Sequence, residues 1–314
     1  MDNVCHTLVG AAFGEAGLKH RTRFGAAALM ISANIPDLDV LVFFTGTPPV
    51  SFRRGITHGV VAQLVLPVVL TGAFMLVGKW RPAASTDDRP PLRPAWLLLL
   101  SLAGVYSHVL LDLLNNYGVR LLTPFSWRWF YGDSVFIVDP WLWLMLGVGV
   151  WLTRRQRVPT PARGALIFAA CYIAVMVVAA QTAHGIVDRL WRETRGAAAA
   201  AVMVGPVPIT PFTREVIVDA GDHYETGQFS WSSASLKLNP ERTLKNNDKP
   251  EVALAREASP NIRAFLVWSR FPYWTLRPEN GGTRVSVSDM RFPGGVRGFS
   301  ASAVVPAVHA PAPD

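Results

Sequence analysis

Residues Tyr106–Tyr117 read YSHVLLDLLNNY and close an apolar run that begins at Ala95. His108 and Asp112 are four residues apart, so an α-helix stacks their side chains on one face. A histidine and a carboxylate are costly in an apolar helix of this kind and usually mark function. Together they can supply an imidazole nitrogen and a carboxylate oxygen to a metal ion. They can equally form a buried hydrogen bond that joins two helices, and the stretch alone favours neither interpretation.

The hydropathy of the chain indicates a membrane protein. Half of its 314 residues are hydrophobic, its mean hydropathy is +0.26, and the apolar excess lies before about residue 187. Crossing the hydrocarbon core takes about 20 apolar residues. Four runs approach that length, namely Gly59–Gly78, Ala95–Leu114, Val135–Leu152 and Gly164–Val187. We therefore predict that residues 1–190 form a mainly α, polytopic membrane domain.

Two shorter apolar segments precede these runs. The first carries helix-spaced apolar residues and is closed by Gly17, and the second, Phe24–Ile35, should stop before Pro36. Each is too short to span about 30 Å at 1.5 Å per residue. We predict a short or re-entrant helical hairpin, followed by about four spanning helices. The hairpin places His6 at the same end as the loop Asn34–Asp39.

Basic residues predict the orientation in the membrane. Two short loops carry them, with Lys79, Arg81, Arg89 and Arg93 in one and Arg154, Arg155, Arg157 and Arg163 in the other. Such loops face the cytoplasm, so much of the net charge of +8 is a topology signal and no nucleic-acid partner is expected. The polar residues of the apolar half then converge on the outer leaflet; they are His6, Asp37, Asp39, His58, His108, Asp112 and Asp139.

The composition changes after Val187. Segments such as Glu215–Asp219 (EVIVD) and Arg263–Ser269 (RAFLVWS) suggest strands, and Tyr273–Phe292 suggests a hairpin that turns at Pro278–Gly282. We predict a small, β-rich, soluble domain over residues 191–300, on the extracytoplasmic side, and a disordered Ala- and Pro-rich tail over 301–314.

The polar set suits a divalent metal ion. Three histidines and two or three carboxylates are typical zinc ligands, sufficient for one or two ions, and manganese is an alternative. A metal ion with an open position lowers the pKa of bound water toward ~7, which permits attack on a phosphoester. Arg53 and Arg54 precede His58 and could bind the substrate phosphate or extend to the membrane interface. The pair Asp37 and Asp39 could also serve as a turn and a helix cap.

Other sequence features argue against several classes of enzyme, and one aromatic-rich loop has two possible roles. The sequence contains no His-Glu-x-x-His motif, no Gly-x-Ser-x-Gly elbow and no P-loop. Cys5 and Cys171 imply no disulfide framework. The aromatic-rich stretch 115–134 suits an interfacial belt or contact with a lipid headgroup or acyl chain.

An ordered set of motifs resembles the YdjM-like membrane-bound metal-dependent hydrolases over roughly residues 1–190. The motifs are His6-Thr7-Leu8-Val9-Gly10, Pro36-Asp37-Leu38-Asp39, Arg54-Gly55-Ile56-Thr57-His58, Ser107-His108 with Leu111-Asp112, and Val138-Asp139-Pro140. The resemblance implies a divalent-metal hydrolase of the bacterial inner membrane. The pattern is more distantly similar to zinc-dependent phospholipase C and related nucleases, which implies a phosphoester substrate.

Carried over by position, the resemblance implies metal ligands at His6, Asp37, His58, His108 and Asp112. Asp39 and Asp139 are implied as a ligand, as a residue that orients a ligand, or as the catalytic general base. The family often has histidine where this chain has Arg53, so this chain either holds one metal ion fewer or binds phosphate through Arg53.

The sequence thus predicts an inner-membrane hydrolase with an outward-facing metal site. The expected reaction is metal-hydroxide attack on a phosphoester such as a phospholipid headgroup, with the lipid bilayer as the surrounding partner. The main alternative is a non-catalytic membrane protein, for transport or structure, whose polar residues pair across helices. A metal-dependent hydrolase of amide or acyl bonds is a further alternative. The oligomeric state is not predicted.

Overall fold

The computed structural model describes residues 1–45, 48–80, 90–279, 281–292 and 299–306. These residues form two compact units. The first contains Met1–Val40, Arg54–Thr182 and Gly205–Pro211, and the second contains the described residues of Leu41–Arg53, Ala183–Val204 and Phe212–Asp314. The architecture is a helical membrane domain with a β-rich domain, as predicted.

The predicted N-terminal hairpin is present. Helix α1, Asn3–Glu15, begins where the Asp2 carboxylate accepts hydrogen bonds from the amides of Val4 and Cys5. It ends before Gly17, whose φ of +119° is a conformation that glycine adopts without strain. Helix α2, Gly25–Ser32, packs against α1 so closely that a Cβ on Gly10 would lie 2.7 Å from a backbone oxygen of α2.

The chain bends after α2 instead of entering a simple loop. Residues Ile35–Phe44 form a 3₁₀ helix that is inclined by 52° to α2, with Pro36 in its first turn. By length and composition, this bent pair of helices fits either one broken membrane span or a re-entrant segment. The prediction of a loop over Asn34–Asp39 is therefore wrong, because Asp37 and Asp39 lie on this helix.

Three further helices are long and apolar enough to cross a membrane, counted over the described residues. A short helix α3, Pro49–Phe52, precedes them. The three are α4 (Val60–Trp80), α5 (Pro94–Leu113) and α7 (Thr160–Arg195). Between the last two lies α6, Pro140–Gln156, which is only 17 residues long. It starts five positions later than the predicted run Val135–Leu152, because Asp139 and Pro140 set its first turn.

Apolar side chains from several helices form the core of the first unit. One cluster joins α1 to α6 through residues such as Val9 and Leu146. A second joins α2, α4 and α5 through Leu29, Phe74 and Leu100. The helix ends that carry the polar residues of the site are fixed by these two clusters.

The second unit contains two antiparallel sheets. The first has the order β1-β2-β3-β4, formed by Ala201–Pro206, Thr213–Asp219, His223–Ser230 and Ser235–Leu244. The second has the order β5-β6-β7, formed by Pro272–Glu279, Gly282–Asp289 and Ser300–Val305. The strand predicted at Glu215–Asp219 is confirmed in β2, and the hairpin predicted at Tyr273–Phe292 is confirmed in β5 and β6, whose turn includes Asn280, outside the described residues.

Two predictions for this unit are wrong. Arg263–Ser269 is not a strand but most of helix α9, Pro260–Trp268, which follows helix α8, Pro250–Ala258. Ser259 caps α9, and Ile262, Phe265 and Trp268 bury one helical face at a spacing of three. The tail predicted from Ala301 begins inside β7, which pairs with β6, and its residues 307–314 lie outside the described residues.

Candidate metal centre

Four predicted ligands meet at one point in the first unit. Asp37, His58, His108 and Asp112 each direct one nitrogen or oxygen atom into a volume in which these atoms lie within 4.8 Å of one another. His58, His108 and Asp112 are fully buried, and Asp37 is 6% exposed. They come from three separate segments: the 3₁₀ helix after α2, the turn before α4, and the C-terminal end of α5.

The hydrogen bonds of the two histidines determine which ring nitrogen carries the proton. His108 Nδ1 lies 2.7 Å from the backbone oxygen of Ala33, which can only accept, so the proton is on Nδ1. The Thr57 hydroxyl donates to Asp39 Oδ2 and lies 3.0 Å from His58 Nδ1, which therefore donates to it. Both Nε2 atoms are left with lone pairs.

These lone pairs point at each other and at a carboxylate. His58 Nε2 and His108 Nε2 are 3.2 Å apart, and they lie 3.3 Å and 3.5 Å from Asp112 Oδ2. Asp112 Oδ2 has no hydrogen-bond partner within the described residues. Three buried acceptor atoms in mutual contact repel one another unless a cation or an added proton lies between them. The donor set of two imidazoles and two carboxylates fits zinc, and this chemistry also accommodates manganese.

The same geometry argues against the simple hydrogen bond between His108 and Asp112. That bond would require a proton on His108 Nε2, but the carbonyl of Ala33 requires the proton on Nδ1. Ala33 is the residue that caps the C-terminal end of α2, where backbone oxygens lack helical partners. The helix break therefore orients a candidate ligand.

His6 lies beside this group without completing it. Its ring stacks on that of His108 with the centroids 3.8 Å apart, and its Nε2 is 3.4 Å from Asp112 Oδ1. Neither ring nitrogen has a hydrogen-bond partner within the described residues, although His6 is fully buried. His6 is thus a further candidate donor for a metal ion.

The predicted catalytic carboxylates have other contacts. Asp39 Oδ2 accepts from the backbone amide of Arg54 at 2.6 Å and lies 3.6 Å from His58 Nδ1, so it supports the outer side of that ring. Asp139 caps α6 by accepting from the amides of Trp141 and Leu142, and its second oxygen accepts from the Tyr172 hydroxyl. Asp139 is outside the four-residue group, and these contacts account for its burial.

The two predicted substrate-binding arginines differ. Arg54 is buried and donates to Asp112 Oδ1 at 2.9 Å and to Asn115 Oδ1 at 3.0 Å, which commits its guanidinium to protein groups. Arg53 is half-buried at the end of α3. Sequence reasoning missed Asn115 and Thr57, although both lie inside the motifs that drew attention and both are polar residues next to apolar runs.

Comparison with known proteins identifies the family. The model of the YdjM inner membrane protein family matches residues 1–183, which is more than half of the chain and contains the whole polar group. The chain belongs to the YdjM inner membrane protein family. The family predicted from the motifs is thereby confirmed, and the membrane location agrees with the apolar helices.

A curated relative of this YdjM family chain is similar over a shorter range. The chain is 24% identical over 165 residues to the uncharacterized protein YfhP of Bacillus subtilis (strain 168). The aligned part is 48% of this chain and 46% of YfhP, so the chain spans about half of that relative. No solved structure matches the chain.

Proposed function

We propose that this protein is a metal-dependent hydrolase of the inner membrane that cleaves a phosphoester, with a phospholipid as the substrate class. The observation that carries the proposal is the meeting of three acceptor atoms, His58 Nε2, His108 Nε2 and Asp112 Oδ2, with Asp37 beside them. Their burial and their donor types favour a divalent ion, either zinc or manganese, over helix packing alone.

The residues of the chain divide into those that hold the ion and those that orient the holders. Asp37, His58, His108 and Asp112 are the proposed ligands, and His6 is the proposed further ligand. A divalent ion at this point supplies Lewis-acid activation of water and neutralises charge on a phosphoryl group. Thr57 and the Ala33 carbonyl fix the two imidazole rings, as outer partners of metal ligands commonly do.

The phosphoester substrate is supported by the resemblance to zinc-dependent phosphoesterases and by the membrane environment. A substrate held in the bilayer presents its phosphate at the headgroup level, which is where the predicted topology places this end of α5. Arg53, as the half-buried member of the arginine pair, is the proposed contact for that phosphate.

A structural metal site is the second candidate function, and one observation favours it. His58, His108 and Asp112 are fully buried, whereas catalytic sites keep a coordination position open to substrate. The two candidates differ in what the loaded protein does. A hydrolase turns over substrate, and a structural site only raises stability.

The deciding experiment incubates the purified full-length protein, loaded with zinc or manganese, with phospholipids in mixed micelles. Hydrolysis is measured as the amount of phosphorylated or free headgroup that is released. We expect turnover that is lost in Asp112→Asn and retained in His184→Ala, which changes a histidine on α7. Bound metal that raises the unfolding temperature without turnover of any phosphoester would support the structural site instead.

A further inference from the structure

Arg54 occupies a position that its predicted contact with substrate does not explain. Its guanidinium is buried, lies 4.6 Å from the centroid of the Tyr117 ring, and is shared between Asp112 and Asn115. Its backbone amide donates to Asp39, and its backbone oxygen accepts from the amide of Arg120 at 2.9 Å. Both the side chain and the main chain are therefore held by neighbours.

The backbone conformation of Arg54 supports the same conclusion. Its φ is +52°, in the left-handed region that a residue with a side chain seldom adopts. Such a conformation is strained and persists only where the surroundings enforce it. A solvent-facing arginine that sampled substrate phosphates would not need it, whereas a guanidinium that must meet Asp112 from one direction does.

The two oxygens of Asp112 receive different partners. Oδ1 accepts from Arg54 Nη2 and also contacts the Met1 ammonium, while Oδ2 faces His58 and His108. A carboxylate is free to rotate, and it could otherwise present either or both oxygens to an ion. The guanidinium is itself held, because Nη1 donates to Asn115 Oδ1 while Nη2 donates to Asp112 Oδ1. The planar group therefore presents Nη2 to Oδ1 from a defined direction, which the flexible ammonium of a lysine does not.

We propose that Arg54 is a positioning residue that makes Asp112 a single-oxygen ligand by occupying Oδ1 and leaving Oδ2 for the metal ion. The inference rests on the metal site of the proposed function. It assigns Arg54 a role in ion affinity and removes it from the set of residues that contact substrate.

The test is Co²⁺ binding to the full-length protein in detergent, measured by calorimetry and by the visible absorption of the bound ion. Arg54→Lys keeps the charge but cannot donate to Asn115 and Asp112 from two fixed nitrogens, so we expect the Kd to rise about 10- to 100-fold and the absorption bands to shift. The matched control is Arg21→Lys, an exposed arginine that lies over the Trp96 ring, 5.0 Å from its centroid. Its Kd should stay within about twofold of the wild-type value.

The readout separates positioning from a loss of folding. Misfolding would lower the fraction of protein that binds Co²⁺ but leave the Kd and the spectrum of the binding fraction unchanged, which would overturn the inference. If Arg54→Lys is not monodisperse, Asn115→Ala is measured instead, because it removes the second anchor of the guanidinium. This variant must raise the Kd for Co²⁺, and an unchanged Kd would overturn the inference. If the wild-type protein binds Co²⁺ and Arg54→Lys binds it with the same Kd, the inference about Arg54 is wrong and the metal site stands. If the wild-type protein does not bind Co²⁺, both the metal site and the inference are wrong.

Discussion

At the residue scale, the direction of individual lone pairs decides what the polar group can do. The Thr57 hydroxyl lies between the Asp39 carboxylate and the His58 ring, donating to Asp39 Oδ2 and accepting from His58 Nδ1. Its hydrogen bonds fix the tautomer of His58 and turn Nε2 toward Asp112. A small polar residue outside the ligand set therefore governs the geometry of a ligand.

Thr57→Val tests this role because valine keeps the shape and removes the hydroxyl. We predict about a 10-fold loss of metal affinity, since outer partners of metal-ligating histidines typically contribute 10- to 100-fold. The measurement is metal titration in detergent. Thr71→Val in α4, whose hydroxyl only donates to a backbone oxygen of its own helix, is the matched control and should bind normally. Equal affinities for both variants would show that Thr57 does not orient His58.

Sequence alone identifies the ligand candidates because their cost in an apolar helix is local information. The spacing of His108 and Asp112 and the isolated polarity of His58 and Asp37 are visible without a structure. The separate roles of Asp39, Asp139 and Arg54 are not visible in the sequence, because an aspartate that caps a helix and one that binds a metal ion are the same residue type. Which one faces the group depends on the angle at which segments far apart in sequence cross.

At the element scale, the distance between α2 and α5 sets the position of His108 relative to Ala33. Gly104 lies one turn before His108, and a Cβ at that position would lie 1.9 Å from Ser32 Oγ and 2.9 Å from the amide nitrogen of Ala33. The absence of a side chain at Gly104 thus lets the two helices approach closely enough for His108 to reach the backbone oxygen.

Gly104→Ala should therefore destabilise the protein by about 1–3 kcal/mol and weaken metal binding, because the added methyl group separates the helices. Thermal unfolding in detergent and a metal titration provide the two readouts. Gly147→Ala makes the same substitution in α6, where an added Cβ would meet no heavy atom of the described residues within 4 Å, and should be neutral or slightly stabilising. If Gly104→Ala behaved like Gly147→Ala, close approach of α2 and α5 would not be required.

In the β-rich unit, a buried ion pair ties β6 to the residues around it. Asp289 is fully buried, and it accepts from the Arg291 guanidinium, the Ser269 hydroxyl and the amide of Arg270. Burial alone raises the pKa of a carboxyl group, but the Arg291 charge and these hydrogen bonds outweigh it and hold the pKa of Asp289 below its ordinary value. Stability from this group is therefore present above the unfolded pKa of about 4 and is lost as the pH falls through the lower folded pKa.

We predict that amide exchange protection of β6, corrected for intrinsic rates, is constant from about pH 7 to 5 and falls below about pH 4. Asp289→Asn should reduce protection at neutral pH by about 3–5 kcal/mol, because the Arg291 charge remains buried without a carboxylate to neutralise it. Glu279→Gln removes an exposed ion pair with Arg284 and should change protection by less than about 1 kcal/mol. Full protection in Asp289→Asn at pH 7 would contradict the account.

Periodicity and hydropathy predict some elements better than others. The membrane helices are predictable because a run of about 20 apolar residues has few other uses. Helix α9 is not, because RAFLVWS combines β-branched and aromatic residues, and the cap at Ser259 and the face that packs on its neighbours decide its conformation. Likewise β7 exists because β6 offers it a partner, which its own Ala-rich sequence does not reveal.

At the scale of the whole molecule, the basic turn between α6 and α7 and the metal centre lie at opposite ends of α1 in the first unit. Arg154 of α6 pairs with Glu15 at the end of α1, and Arg163 of α7 donates to the backbone oxygen of Ala16. The end of α1 therefore lies with the basic turn between α6 and α7, while the start of α1 lies with the metal centre. The predicted orientation requires this separation of the basic turn from the metal centre, and which end faces the cytoplasm stays a prediction.

We predict that the basic turn faces the cytoplasm and that the chain after residue 200 is extracytoplasmic. An alkaline phosphatase fusion after residue 200 should be active, and one within the turn between α6 and α7 should be inactive. The reverse pattern would place the metal centre at the cytoplasmic leaflet and remove the outer-leaflet lipid as a substrate.

The most direct test of the central claim is the metal content of the full-length protein purified in detergent, measured by mass spectrometry beside the double variant His58→Ala/His108→Ala. The account predicts one equivalent of zinc or manganese, or two if His6 helps to hold a second ion, and its loss in a variant that remains monodisperse. Wild-type protein that carries no metal ion after supplementation, or a double variant that retains it, would contradict the account.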